Sequence, residues 1–201
     1  MIRNRNISVI TWAKLAVTVA AVCVGARLGG LPALSLTGRA TVAAEAAQVV
    51  RVIDADTYIM RSDSTAYRLR LLGVDAPEQG QPFGAQATDS VARLLAPGRV
   101  VLVTRAGRDL YGRTLGAVML PVSTGATAGR AVPLDSLLVV RGWAWAFDPN
   151  RTVAGRAQQQ LAAQRAGRGL WKCGVSAAMP PKRWRSFNSE IKRRYRVGCT
   201  W

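Results

Sequence analysis

The segment Arg70-Leu-Leu-Gly-Val-Asp-Ala-Pro-Glu78 marks the end of a predicted β-strand. Apolar side chains alternate with arginines from Tyr67 to Leu71, the period of two that is typical of a half-buried strand. The strand stops at Pro77, because proline lacks the N–H that a ladder needs and restricts the residue before it. The strand and its end therefore hold one guanidinium near the carboxylates of Asp75 and Glu78. This set suits a phosphate ester, with the guanidinium on phosphate oxygens, one carboxylate on a metal ion and the other on a water. The alternative is a strand-end turn with solvated charges.

Hydrophobic patterns on both sides of this segment predict five short strands and three helices. The predicted strands cover residues 49–53, 57–61, 67–71, 99–104 and 115–120, and the predicted helices cover 85–95, 134–141 and 154–166. A loop over 105–113 joins the last two strands. This order does not alternate strand and helix as a parallel sheet requires. It fits a mainly β protein of the α+β class, with a five-stranded Greek-key barrel of OB type and about three packed helices.

The composition indicates a polyanionic partner. The 201 residues include 28 Lys and Arg against 11 Asp and Glu, a formal net charge of +17. Such a charge favours nucleic acid or an anionic membrane surface as the partner, although a basic protein that is merely soluble would also show it. The chain contains no histidine, which excludes Ser-His-Asp triads, histidine-ligated zinc hydrolases and other imidazole chemistry.

Residues 1–46 form an N-terminal segment unlike the rest of the chain. Two arginines precede an apolar run over residues 7–26, in which Lys14 is the one charged residue. This pattern is typical of a secretory signal peptide, and a retained membrane anchor over residues 7–26 is the second interpretation. We therefore expect an exported protein, secreted or periplasmic. No acidic residue precedes Glu45, so an organellar transit peptide stays open as a third interpretation.

Residues 172–201 form a basic, aromatic-containing extension that follows a predicted domain over 47–171. Its clustered cations and rings are Lys182, Arg183, Arg185, Lys192, Arg193, Arg194 and Arg196, with Trp184, Phe187, Tyr195 and Trp201. Such a mixture suits contacts to a nucleic-acid backbone with base stacking, or else the rings pack on the domain. Cys173 and Cys199 can join in a disulfide if the protein is exported, and the lack of a CxxC pair argues against structural zinc.

Carboxylates and arginines outside the first segment complete a candidate site. Asp56, in a hairpin turn, can share one hard cation with Asp75 through oxygen ligands, as calcium prefers. Arg113 precedes a later strand and can grip a phosphodiester together with Arg70, because two guanidinium groups on separate strands neutralise charge from two sides. Glu78 can then hold or deprotonate the attacking water.

Together these residues resemble the thermonuclease family, the group with a staphylococcal-nuclease-like domain. The resemblance covers residues 48–171 and depends on the order and spacing of six motifs. The motifs are Ile53-Asp-Ala-Asp-Thr57, the opening segment, Phe83-Gly-Ala-Gln-Ala87, Asp109-Leu-Tyr-Gly-Arg113, Gly142-Trp-Ala-Trp-Ala-Phe-Asp-Pro-Asn150 and Gly169-Leu-Trp171.

The resemblance implies an OB barrel with three helices that cleaves DNA and RNA with one calcium ion. It implies that the bond to the 5′ oxygen breaks and that 3′-phosphate ends remain, and we expect a monomer. By motif position, the implied metal ligands are Asp56, Asp75 and the backbone carbonyl of Ala76, the catalytic residues are Arg70, Glu78 and Arg113, and the nucleotide contacts are Tyr111 and Trp145.

Some positions depart from the family pattern without removing a carboxylate or arginine of the site. Ala55 replaces a glycine and would strain the turn if that position needed a positive φ. Leu110 stands where some members have a lysine near a phosphate. Trp145 replaces a tyrosine and lies in an aromatic run over 143–147, whose rings are either core residues or a rim that stacks a base.

The alternative function is a non-catalytic OB-fold module that binds nucleic acid, since OB barrels often bind without cutting. Such a module has no need of all five charged residues of the proposed centre. All five are present, so the sequence favours the nuclease.

Overall fold

The computed structural model describes residues 43–122, 129–147, 155–195 and 199–201. The apolar run over 7–26 lies outside these residues, so the predicted signal peptide or anchor stays a prediction. None of the helices within the described ranges has the length and apolar character needed to cross a bilayer.

Five strands close into a barrel, which confirms the predicted fold class. The described residues form eight strands, of which β1, β2, β3, β5 and β6 make the barrel: β1 (Glu45–Asp54), β2 (Thr57–Ser62), β3 (Thr65–Leu71), β4 (Val74–Asp75), β5 (Val100–Arg108), β6 (Thr114–Pro121), β7 (Ala131–Pro133) and β8 (Trp145–Ala146). The main sheet runs β3-β2-β1-β5-β6-β7, and β3 also pairs with β6 in parallel, which closes the ring. Register shifts in β1 and β5 mark bulges, which bend strands enough for closure.

The helices cover the barrel and lie close to their predicted positions. They are α1 (Gly84–Leu94), α2 (Leu134–Arg141), α3 (Arg156–Arg165), α4 (Pro181–Ser186) and α5 (Ser189–Arg194). In α1, Ala87 and Val91 are fully buried, together with Leu95 just beyond the helix. Their i, i+4, i+8 spacing places them on one helical face, and burial of that face holds α1 against β1.

The prediction of a loop over 105–113 is wrong for residues 105–108, which belong to β5. Strand β5 continues to Arg108, because Gly107 and Arg108 still pair with the start of β6 beyond a bulge. The exposed end of this hairpin lacks the apolar alternation that would reveal a strand, since both of its faces meet solvent. The turn that carries Asp109 to Arg113 is therefore shorter and better fixed than the sequence indicated.

A close backbone contact fixes the end of α2. Gly142 follows the helix with a φ of 67°, and a Cβ on it would lie 2.1 Å from the carbonyl oxygen of Arg168. Leu170 N donates to the Gly142 carbonyl at 2.9 Å. This contact anchors the 3-10 turn Gly169–Trp171, and Trp171 is buried in the core behind β8.

The C-terminal extension is folded onto the domain rather than extended. Cys173 and Cys199 form a disulfide with Cα atoms 5.9 Å apart. Trp184 is buried, and its ring packs against Phe187 and Tyr195 with centroids about 6 Å apart. The Trp201 ring contacts Phe83 of the domain. Packing rather than free stacking therefore occupies these rings.

We predict that the disulfide stabilises the extension. A bond that closes a loop of sequence separation 26 lowers the entropy of the unfolded chain, which raises the free energy of unfolding by about 3.5 kcal/mol at 25 °C. Replacing both Cys173 and Cys199 with serine should lower the free energy of unfolding by that order, measured by denaturant titration with tryptophan fluorescence. A reducing agent should shift the wild type equally and leave the double variant unchanged. If the reducing agent left the free energy of unfolding of the wild type unchanged, this prediction would be contradicted.

Candidate active site

One cleft of about 540 Å³ collects most of the residues that the sequence singled out. It lies at the end of the barrel where β3 stops and the β1–β2 turn projects. Its walls are formed by Asp54, Asp56, Thr57, Arg68, Arg70, Asp75, Ala76, Pro77, Glu78, Tyr111, Arg113 and Arg185. Seven of the eight predicted site residues line it, and Trp145 does not.

The turn between β1 and β2 presents Asp56 to the cleft. The backbone N–H of Asp56 donates to Asp54 Oδ1 at 3.1 Å, and the Thr57 hydroxyl donates to Asp56 Oδ1 at 3.1 Å. Ala55 is buried and is absent from the positive-φ residues of the described chain. Alanine therefore fits this turn without the strain that a left-handed conformation would impose.

The Arg70 guanidinium joins two carboxylates from different segments. Its Nη1 is in ion-pair contact with Asp56 Oδ2, and its Nη2 donates to Asp75 Oδ1 at 3.0 Å. The Ala76 backbone N–H also donates to Asp56 Oδ2, at 2.6 Å. The side chains of Arg70, Asp56 and Asp75 are only 15%, 8% and 8% exposed, so water screens these charges weakly.

Burial shapes the titration of this group. Loss of solvent lowers the pKa of Arg70, and the neighbouring charges of Asp75 and Asp54 oppose that shift. Desolvation also raises the pKa of Asp54, against a hydrogen bond from Thr57 and the positive field of Arg70. The charged groups are thus held in a partly dry cleft, where each stabilises the other.

An arginine from the C-terminal extension completes the cleft. Arg185, in α4, donates from Nη2 to Asp75 Oδ2 at 3.0 Å and from Nη1 to Glu78 Oε1 at 2.8 Å. The hydrogen bond to Asp75 raises the pKa of Arg185. Desolvation works to lower that pKa, and the hydrogen bond to Glu78 adds to the rise. Sequence reasoning counted Arg185 only as one cation of a basic tail. No local pattern could pair it with residues more than 100 positions earlier.

The β5–β6 turn presents Tyr111 and Arg113. Asp109 Oδ1 accepts from the backbone N–H groups of both residues at 2.9 and 3.0 Å, and its Oδ2 accepts from Arg113 Nε at 2.7 Å. Desolvation works to raise the pKa of Asp109, but the Arg113 hydrogen bonds outweigh it and lower the pKa. Tyr111 is 84% exposed, with Arg113 5.5 Å from its ring centroid. This turn therefore offers a solvent-facing ring beside a fixed guanidinium.

Trp145 lies behind the cleft rather than in it. Strand β8 pairs with β4 and places Trp145 opposite Asp75 in register. The Trp145 ring packs edge-on against Trp171, with centroids 4.3 Å apart. Trp145 therefore packs behind β4 and supports it. Among the described residues of the same aromatic run, Phe147 is the one with an exposed ring.

The oxygen donors in the cleft fit a hard cation. Asp56 and Asp75 line the cleft with carboxylates, and Ala76, directly after Asp75, could add its backbone carbonyl. Within the described ranges, no three Asp, Glu, His or Cys side chains cluster as a metal site. An ion here would thus need carbonyl and water ligands besides two carboxylates, a set that calcium tolerates and softer metals do not prefer.

Comparison with known proteins gives consistent matches. A family described as staphylococcal nuclease homologue matches residues 68–173. An uncharacterized endonuclease of Escherichia coli O157:H7 is 36% identical over 138 residues, covering 69% of this chain and 83% of that protein. A micrococcal nuclease of Shigella flexneri is 34% identical over 140 residues, covering 69% and 79%. A thermonuclease of Staphylococcus hyicus is 34% identical over 134 residues, covering 62% and 74%.

We predict that Gly84 is essential for the placement of the loop that carries Glu78. A Cβ on Gly84 would lie 1.8 Å from the backbone carbonyl oxygen of Glu78, whereas a Cβ on Gly80 in the same loop meets nothing within 4 Å. Gly84→Ala should therefore lower the free energy of unfolding by about 3 kcal/mol, since the clash is with backbone that cannot turn aside. Gly80→Ala should change it by less than about 0.5 kcal/mol. Equal denaturation midpoints for the two variants would refute the assignment.

Proposed function

Because the chain belongs to the staphylococcal nuclease family and is a phosphodiester hydrolase of nucleic acid, we propose that it cleaves DNA or RNA with one calcium ion and leaves 3′-phosphate ends. The observation that carries this proposal is that one cleft contains three carboxylates and two arginines of the predicted site. They are Asp56, Asp75, Glu78, Arg70 and Arg113. These residues come from the β1–β2 turn, the end of β3, the short strand β4, the loop after β4 and the β5–β6 turn. A module that only binds nucleic acid would not need this full set.

In this proposal, Arg70 and Arg113 hold one phosphodiester from two sides. Arg70 is rigid, because β3 and two ion pairs fix it. Asp109 fixes Arg113 through Nε, and among the described residues no hydrogen bond engages the two terminal nitrogens of Arg113. Those nitrogens can therefore donate to phosphate oxygens, where a guanidinium fork stabilises the charge that develops in the transition state.

Calcium bound by Asp56, Asp75 and the Ala76 carbonyl would neutralise charge on the phosphate. Glu78 accepts a proton from a water while the water oxygen forms a bond to phosphorus. The bond from phosphorus to the 5′ oxygen breaks, and that oxygen takes up a proton from solvent. The products are a 3′-phosphate end and a 5′-hydroxyl end. The Tyr111 ring, which is largely exposed at the rim, offers a surface for a base next to the reacting phosphate.

Export of this nuclease is part of the proposal. The charged and apolar pattern of residues 1–46 supports a signal peptide or a retained anchor. The Cys173–Cys199 disulfide supports the same location, because disulfides persist in oxidising compartments. We also expect a monomer, with residues 47–171 as the nuclease domain.

We predict calcium-dependent cleavage by the full-length chain. Fluorescent single-stranded and duplex DNA should be cut with calcium and left intact with chelator, and phosphatase treatment should remove a 3′-phosphate from the products. Glu78→Gln and Arg113→Ala should each lower kcat by about 100-fold or more, because each removes a group that acts in the transition state.

Arg165→Ala provides the control, since Arg165 is exposed on α3 and does not line the cleft. It should keep wild-type activity. Binding that weakens with salt but produces no cleavage with calcium, magnesium or manganese would overturn the proposal and favour a binding module.

We predict that calcium stabilises the folded chain through Asp75. A ligand that binds only the native state raises stability by about 2.7 kcal/mol at 100 times its Kd, so the melting temperature of the wild type should rise with calcium concentration. Asp75→Asn should lose this rise. Asp89→Asn, which changes an exposed carboxylate on α1, should keep it. Equal calcium responses in the two variants would remove Asp75 from the metal site.

A further inference from the structure

The C-terminal extension delivers a charged side chain into the cleft from outside the matched family region. The family match ends at residue 173, and α4 begins at Pro181. Several contacts fix α4 relative to the domain. Gln81 Nε2 donates to the Met179 carbonyl at 2.5 Å, Pro181 and Trp184 are buried, and the disulfide closes the segment behind them. Arg185 is therefore carried by a positioned element, not by a loose tail.

Most other described cations of the extension are in contact with groups of the extension itself. Arg183 and Lys192 lie about 6 Å from the ring centroids of Phe187 and Trp184, and Arg194 pairs with Glu190. Arg185 instead reaches Asp75 and Glu78 of the cleft. Arg185 therefore differs from these cations, because its partners are in the cleft and theirs are in the extension.

The geometry of Arg185 suits a phosphate group. Its guanidinium donates through both terminal nitrogens to Asp75, which is the two-point contact that a phosphate also accepts. The Arg185 side chain is 48% exposed, so solvent and ligands reach it. A ligand that supplies negative oxygens at the mouth of the cleft can accept the same kind of hydrogen bonds from Arg185.

Four arginines consequently line the cleft, and Arg68 and Arg70 share one strand, so the four come from three places in the fold. Arg70 lies on β3, Arg113 precedes β6 and Arg185 lies on α4. Lys182, three residues before Arg185, shares its face of α4 and is exposed. Positive charge thus continues from Arg185 along the exposed face of α4, as a strand of nucleic acid that extends past the reacting phosphate would require.

We propose that Arg185 is a third phosphate-binding arginine of the cleft, and that the exposed face of α4 with Lys182 extends the nucleic-acid interface onto the C-terminal extension. This inference rests on the proposed function for the identity of the ligand. It assigns the extension a part in substrate binding that the family domain alone does not contain.

The test measures DNA binding without cleavage. Full-length wild type, Arg185→Ala, Arg185→Lys, Lys182→Ala and Arg165→Ala are titrated with a fluorescent single-stranded oligonucleotide in chelator, and anisotropy is recorded at several salt concentrations. A gel confirms that the oligonucleotide stays intact. Each phosphate contact contributes about 0.7 to the slope of log K against log salt for single strands.

Arg185→Ala should bind more weakly and lose about 0.7 of the slope, and Lys182→Ala should show a smaller loss of the same kind. Arg185→Lys should keep the slope, because the charge remains, while its affinity falls between those of the wild type and the alanine variant. Arg165→Ala should match the wild type. Rescue of the slope by lysine separates a phosphate contact from a structural role.

An unchanged slope and affinity in Arg185→Ala would overturn the proposal. Tighter binding by Arg185→Ala in chelator, together with faster cleavage by the same variant in a parallel assay with calcium, would also overturn it, and would assign Arg185 as a block on Asp75 and Glu78. Failure of the proposed function is distinguishable, because it appears as absence of cleavage by the wild type with calcium. The comparison of salt slopes in chelator stands independently of that result.

Discussion

The ion pairs of Arg70 with Asp56 and Asp75 are the contacts on which the cleft depends. They follow directly from strand pairing: Thr57 of β2 lies opposite Arg70 of β3, so Asp56, one residue earlier, falls beside the guanidinium. The backbone N–H of Leu71 donates to the Asp56 carbonyl at 2.8 Å and fixes the same register. Because these charges are largely buried, removing one partner should lower the free energy of unfolding by about 3–5 kcal/mol. The ion pairs therefore hold the two carboxylates close together.

Closure of the barrel brings the second arginine to the same place. The parallel pairing of β3 with β6 sets Leu69 opposite Thr114, the residue after Arg113. If β3 and β6 did not pair, Arg113 would lie far from Arg70, even though both strands could still form. Closure of the barrel therefore brings together the two arginines that we propose bind phosphate, and Asp109 orients the second of them.

The cleft combines charges of both signs in equal number. Four carboxylates line it, from Asp54, Asp56, Asp75 and Glu78, and four guanidinium groups oppose them, from Arg68, Arg70, Arg113 and Arg185. Near the cleft the field is thus close to balanced, while the chain as a whole carries +17. The proposed calcium ion would shift this balance toward positive charge at the point where the phosphate has to sit. The general basic surface would then attract the polyanion without the cation, and cleavage would depend on the cation.

The sequence by itself determined the barrel strands, the main helices and seven residues of the cleft. Period-two alternation and the break at Pro77 report how each segment meets the core, and those signals are local. The family motifs added the roles, which stay proposals. Only the tertiary structure decided that Arg185 enters the cleft, that Trp145 packs on Trp171, and that β5 extends to Arg108. These three outcomes depend on register, chain closure and docking of the extension. Such contacts join residues that are distant along the chain, and no periodicity within a single segment encodes them.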